Sequence, residues 1–197
     1  MTRSGTGPPP PERQLGVLLV GHGYPPREAA GTEQHMARLA TELQRRGHRV
    51  GVFAATRDPA RRQYSIIQEG DGPLDLTRLV QNIPVRALAQ AEADAAVEAA
   101  LQATVRRFRP DLVHVHHLQF LSSGLRFPVP TVYTLHDQWT WCAAGGLGLL
   151  PDGTSCPGPA PERCAPCAAA WAPRPNAAAR ATLGLAGRLS PLLPPPL

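Results

Sequence analysis

The 197-residue chain has no lysine: its 20 basic residues are all arginine, set against 15 acids for a net charge of +5. Aromatic residues make up only 5% of the chain. The interleaved basic and aromatic side chains of a nucleic-acid surface are therefore missing. The surplus charge is also uneven. Residues 168–197 hold Arg174, Arg180 and Arg188 and no acid, so this tail carries +3 of the +5 and the rest of the chain only +2. No nucleic-acid partner is expected. The arginine pairs at Arg45 and Arg46 and at Arg106 and Arg107 fall at the ends of predicted helices, where cations suit the negative end of the helix dipole.

Long apolar runs are equally scarce. The first, Leu15–Val20, has six residues, too few for a signal-peptide core or a membrane span, and the stretch before it is polar and proline-rich. The expected location is cytoplasmic. There, four cysteines favour metal binding or free thiols over disulfides.

What the chain has in excess is proline, 23 residues, placed unevenly. Four lie in residues 8–11 and eleven in 151–197. This divides the chain into a disordered proline-rich head (1–13), a folded domain (14–141), a cysteine-rich insert (142–168) and a tail (169–197).

Within the folded part the apolar pattern predicts alternating strands and helices. Leu15–Val20 reads as a strand buried on both faces. A Gly/Pro loop follows over residues 21–30. A helix then opens at Gly31 with Thr32 as its N-cap, carries Met36, Leu39, Ala40 and Leu43 as one stripe, and stops at Gly47. Arg49–Ala55 is the next strand, completing a β-α-β unit. Residues 56–84 predict a hairpin or irregular excursion around the turn at Gly70–Pro73. A helix is expected over 87–108, a strand over 111–116, a short helix over 118–125 and a strand over 131–136. The expected fold class is α/β, an open, mostly parallel Rossmann-like sheet with a Cys/Pro-rich irregular segment.

In such sheets ligands bind outside the carboxyl ends of the strands. His22, His116, His117 and His136 all fall at predicted carboxyl ends, with Asp137 beside the last. Imidazoles there can bond a hydroxyl or phosphate, or move a proton near neutral pH. Gly31, just ahead of a helix, leaves backbone amides open to an anion. An ordinary strand-to-helix connection explains the loop as well. His114 reads as an interlayer histidine, and His35 and His48 as solvated helix positions. The loop is too long, and too interrupted by Pro25 and Pro26, for a dinucleotide G-x-G-x-x-G fingerprint.

Cys142, Cys156, Cys164 and Cys167 have the spacing C-x13-C-x7-C-x2-C. Four thiolates suit a structural tetrahedral zinc; unmetallated thiols and disulfides are the other readings. A redox C-x-x-C should open a helix after a strand, and Cys164–Cys167 reads as loop.

Together these pieces resemble the N-terminal domain of family-4 glycosyltransferases, retaining enzymes of the two-domain GT-B fold. The resemblance rests on Val17–Val20, Pro25 and Pro26, the Ala30–Glu33 loop and the Arg46–Val50 helix end. It continues through Pro110, Asp111, His114 and His116, then Thr134, His136 and Asp137, and finally the insert from Asp152 to Cys167. It implies a nucleotide-sugar donor, a glycan or lipid-linked acceptor and no catalytic cofactor. His136 and Asp137 would be catalytic; His22, Ala30, Gly31, Glu33, His116, His117 and Trp139 would bind substrate. Ala30 stands where the family usually has glycine, and Glu33 fits equally as a helix-capping acid. Most donor contacts would come from a separate C-terminal domain with an E-x7-E pair. No glutamate here has another eight residues after it. The resemblance thus points to half an enzyme, cut short by a frameshift or early stop. A non-catalytic binding module or remnant, and a zinc-dependent interaction domain, are the alternatives. A lipid acceptor would add peripheral contact at the inner face of the membrane.

Overall fold

The computed structural model describes residues 13–70, 72–83, 92–142, 144–146 and 148–171. The expected disorder of the head, most of the tail and residues 87–91 of the predicted second helix lie outside the described residues. The chain forms two units, 1–137 and 138–197.

The first unit is built on six strands: β1 (Gly16–Gly21), β2 (Arg49–Thr56), β3 (Ile66–Glu69), β4 (Leu74–Val80), β5 (Leu112–Val115) and β6 (Thr131–Tyr133). Helix α1 (Gly31–Arg45) joins β1 to β2, and α2 (Ala95–Phe108) precedes β5. The sheet order is β3-β4-β2-β1-β5-β6, with every neighbouring pair parallel except β3 against β4. The chain winds from β1 outward through β2 to β4, then returns and continues outward through β5 to β6. This is the Rossmann-like doubly wound order, and the direction of winding reverses between β1 and β5.

The central strands are buried on both faces, because each face carries a helix. Val17, Leu19, Val50, Val52, Ala54 and Leu76 form one layer with Met36 and Ala40 of α1, with Leu39 and Leu43 packed against it. The alternate positions face α2. Phe108 lies over Gly51, where any Cβ would meet its ring at 2.9 Å. Val97, Leu101, Val105 and Phe108 are the buried stripe of α2.

The helix ends explain two departures from expectation. Thr32 does not cap α1: the N-cap is Ala30, whose side chain can accept no hydrogen bond. The C-terminal end follows the sequence. Gly47 adopts φ +86° and donates to Gln44 O at 2.9 Å, while His48 N–H reaches back to Leu43 O at 3.0 Å, a Schellman motif. Among the described residues, residue 92 is helical but the expected continuous helix is interrupted at residues 93–94 and α2 begins at Ala95, because Asp94 accepts from the N–H groups of Ala96 and Val97. Residues 118–125 form turns and not a helix, with Phe120 at φ 64°. Propensity there is too weak to hold a helix one or two turns long.

In the second unit, Leu149 bridges Ser155 across a turn in which Asp152 accepts from Thr154 N–H and Oγ1–H. Helix α3 (Pro161–Trp171) follows. It contains Cys164 and Cys167, so this pair is helical and not in a loop. Pro161 suits the first helical position, where no N–H is needed. No strand leads into α3, so the arrangement still differs from a thioredoxin-type redox motif.

Candidate functional site

The loop from Gly21 to Ala30 is tied down from below by one side chain. Arg78, in the middle of β4, is fully buried. It donates to Tyr24 O at 2.7 Å and to Pro25 O at 2.8 Å, and pairs with Glu28 at 3.2 Å and Glu69 at 3.0 Å. Glu28 also accepts from Thr56 Oγ1 at 2.6 Å. A buried guanidinium is tolerated only when its donors are matched in this way. Its effect is to fix the carboxyl end of β1, and with it His22.

His22 donates from Nε2 to Glu33 Oε1 at 2.8 Å, linking the loop to the first turn of α1. The Glu33 carboxylate is 3% exposed and serves His22. His22 Nδ1 and Glu33 Oε2 are both buried without a hydrogen-bond partner among the described residues. The His22 ring meets the edge of His117 at 4.4 Å. His117 Nδ1 accepts from Gln119 N–H at 3.0 Å, so its proton is on Nε2, which donates to Asp137 at 3.2 Å.

A second group lies at the carboxyl ends of β5 and β6. His116 Nδ1 is 3.1 Å from His136 Nε2, and the His116 ring stacks on His114 at 4.3 Å. His114 bonds Thr134 Oγ1 at 2.7 Å. His35, from α1, packs against His136 at 5.1 Å and His116 at 5.6 Å. Six of the chain's seven histidines thus gather around the reversal point of the sheet, His48 alone being elsewhere.

Burial and crowding favour the neutral form of four of these imidazoles. Burial, then the neighbouring His114, His136 and His35, push His116 down to about 3. Burial likewise lowers His22, outweighing the pull of Glu33, and lowers His114 and His136. At neutral pH these four rings offer N–H donors and lone pairs, not cationic charge.

Beside His22 is a cavity of about 180 Å³ lined by Ala55, Thr56 and Phe120 together with the polar and charged Glu28, Arg57, Gln81 and Asn82. Gln81 Nε2 is a buried donor without a partner among the described residues. Gly31 is exposed at the first position of α1, with open space where a side chain would be.

The structure therefore brings together His22, Glu33, His116, His117, His136 and Asp137, with Ala30 and Gly31 at the start of α1. Trp139 belongs to the second unit, where its backbone lies against Gly146. His35 is exposed on α1 as expected but also packs against two of the rings, and His48 differs from expectation. His35 joins the cluster because the first turns of α1 lie at the carboxyl edge, a position the β-α connection already implied. His48 is half-buried and accepts from Leu15 N–H at 3.3 Å. Arg78, Gln81 and Phe120 were not anticipated. Nothing local marks an arginine inside a strand as the anchor of a loop 50 residues earlier.

The glycosyltransferase family 4 model matches residues 29–160, from the end of the β1 loop to the start of α3. The chain belongs to glycosyltransferase family 4. No curated protein matches this family member by sequence. Among solved structures, it is similar to the sucrose-phosphate synthase of Thermosynechococcus elongatus, with 19% identity and a TM-score of 0.47. That similarity covers 64% of this chain and 34% of the synthase, so the chain spans about a third of that enzyme's length. Among the described residues of this glycosyltransferase-family chain, no helix is long and apolar enough to cross a membrane.

The family member's four cysteines are half-buried thiols. All four line one cavity of about 150 Å³ within the second unit.

Proposed function

We propose that this chain is the acceptor-side, N-terminal half of a GT-B glycosyltransferase. It would act in moving a sugar from a nucleotide-activated donor to a glycan or lipid-linked acceptor with retention. The observation that carries the reading is the His22 cavity at the carboxyl edge. Apolar walls, the Phe120 ring and the polar side chains of Gln81 and Asn82 match a ring of alternating C–H faces and hydroxyls. In this reading His22 accepts a hydrogen bond from an acceptor hydroxyl, while Glu33 fixes its tautomer. His136 and Asp137 stand at the mouth of the interdomain cleft near the transferred sugar. The amides opened by Gly31 face the donor diphosphate. A separate C-terminal domain supplies the remaining donor contacts and most of the stabilisation of the leaving diphosphate. One zinc ion held by Cys142, Cys156, Cys164 and Cys167 stiffens the insert.

A second reading, a binding module without turnover, is favoured by one observation. With its pKa at about 3, His116 cannot exchange a proton near neutral pH.

Titrating the purified chain with a panel of oligosaccharides and sugar nucleotides, with product analysis by mass spectrometry, tests both. Saccharide binding that His22→Ala weakens at least ~10-fold, with negligible turnover, is the expected result for half an enzyme. Steady product formation by the pure chain would remove the need for a second domain. Failure to bind any saccharide would sink the site assignment. Metal analysis should find a thiolate-bound zinc that is lost in Cys164→Ser.

A further inference from the structure

We infer that His35, His116 and His136 form a binding site for a divalent transition-metal ion of the zinc type, with a coordination position left for water or an oxygen of a bound ligand. One nitrogen from each of the three rings lies within 4.8 Å of the other two. The closest contact, His116 Nδ1 to His136 Nε2, is 3.1 Å. Two imidazole nitrogens each about 2.0–2.1 Å from a tetrahedral ion are about 3.4 Å apart, so this pair is already near ligand spacing. His35 supplies the adjustment that remains, because it is exposed on α1 and can rotate toward the pair.

Two further features point to a ligand. His116 is fully buried, so its ring is held in one place by the packing around β5. Its Nδ1 now faces another imidazole nitrogen across 3.1 Å, a contact that an ion held between the two would replace with two coordinate bonds. The rings also come from three separate elements, the helix after β1 and the carboxyl ends of β5 and β6, each fixed by the sheet. Three neutral imidazoles and no carboxylate select zinc, cobalt, nickel or copper over magnesium or calcium. The inference rests on this geometry alone and stands whether or not the chain transfers sugar.

The probe is Co²⁺ added to the full chain after chelator treatment. Its visible spectrum separates nitrogen ligation from the thiolate charge-transfer band of any cysteine-bound ion. Imidazole ¹⁵N–¹H spectra recorded in parallel show which rings the paramagnetic ion touches. The expected result is a site without thiolate character that broadens His35, His116 and His136 and leaves His48 sharp. Exposed His35 can be changed without disturbing the core. His35→Ala should lower cobalt affinity at least ~10-fold with an unchanged far-ultraviolet circular dichroism spectrum. Affinity unaltered in His35→Ala, or broadening centred on other residues, would overturn the site. So would a spectrum carrying only thiolate bands.

Discussion

Glu33 Oε1 accepts a hydrogen bond from His22 Nε2 at 2.8 Å, joining the first turn of α1 to the loop that leaves β1. Both side chains are largely buried, and each keeps one unpartnered atom. The pair therefore holds the loop to the helix from inside the fold. Glu33→Ala leaves the His22 N–H buried without an acceptor and should cost about 1–3 kcal/mol in urea unfolding. Glu33→Gln keeps an acceptor and should cost less. Equal losses in the two variants would show that the hydrogen bond to His22 is not what stabilises the loop.

Arg78 should be among the least replaceable side chains in the domain. Arg78→Ala strands Glu69 and two loop carbonyls, and a loss of about 3–5 kcal/mol is expected. Arg78→Lys cannot reach Tyr24 O, Pro25 O and both carboxylates together, because its single ammonium lacks the planar fork. Unfolding curves that leave Arg78→Lys within ~0.5 kcal/mol of the parent would contradict the anchoring role.

The neutral histidines make stability depend on pH. The unfolded chain takes up protons near the ordinary histidine value of 6.5, whereas folded His116 resists until about 3. Stability is thus fully present above about pH 6.5 and declines as pH falls toward 3. Between pH 7.5 and 5, with chelator present, His116 alone should account for a loss on the order of 2 kcal/mol. His116→Gln should flatten that slope. An unchanged slope would place the titration elsewhere.

Asp94 has two tasks, capping α2 and accepting from Tyr64 Oη at 2.8 Å. Asp94→Ala should cost about 1–2 kcal/mol, and Asp94→Ser, which can still cap, about half as much. Thermal unfolding that ranks Ser no better than Ala would mean that the Tyr64 bond dominates.

Much of the fold was legible because its signals are local. The apolar run after Leu15, the stripe from Met36 to Leu43 and the stop at Gly47 each depend on residues within one element, and the structure keeps all three. The hairpin at Gly70–Pro73 was read from turn chemistry, but its placement was not. That β4 would lie parallel to β2 is decided by which apolar surfaces meet in three dimensions. The short helix over 118–125 failed because apolar spacing cannot distinguish a helical turn from packed turns. The break at residues 93–94 ahead of α2 was missed because alanine content outweighed the cap at Asp94.

The candidate site divides along the same line. Histidines closing strands were visible, since strand direction carries residues at the carboxyl ends to one edge. The sequence by itself determined the alternation of strands and helices, the glycosyltransferase family and the edge at which chemistry would gather. The alternation and the edge follow from short-range pattern and the chirality of the chain, the family from the resemblance of its motifs. Only the tertiary structure decided that His35 joins His116 and His136, that Glu33 serves His22, and that Arg78 holds the loop from 50 residues away. Those are contacts between residues distant in sequence. They depend on side-chain directions and desolvation, which no local pattern encodes.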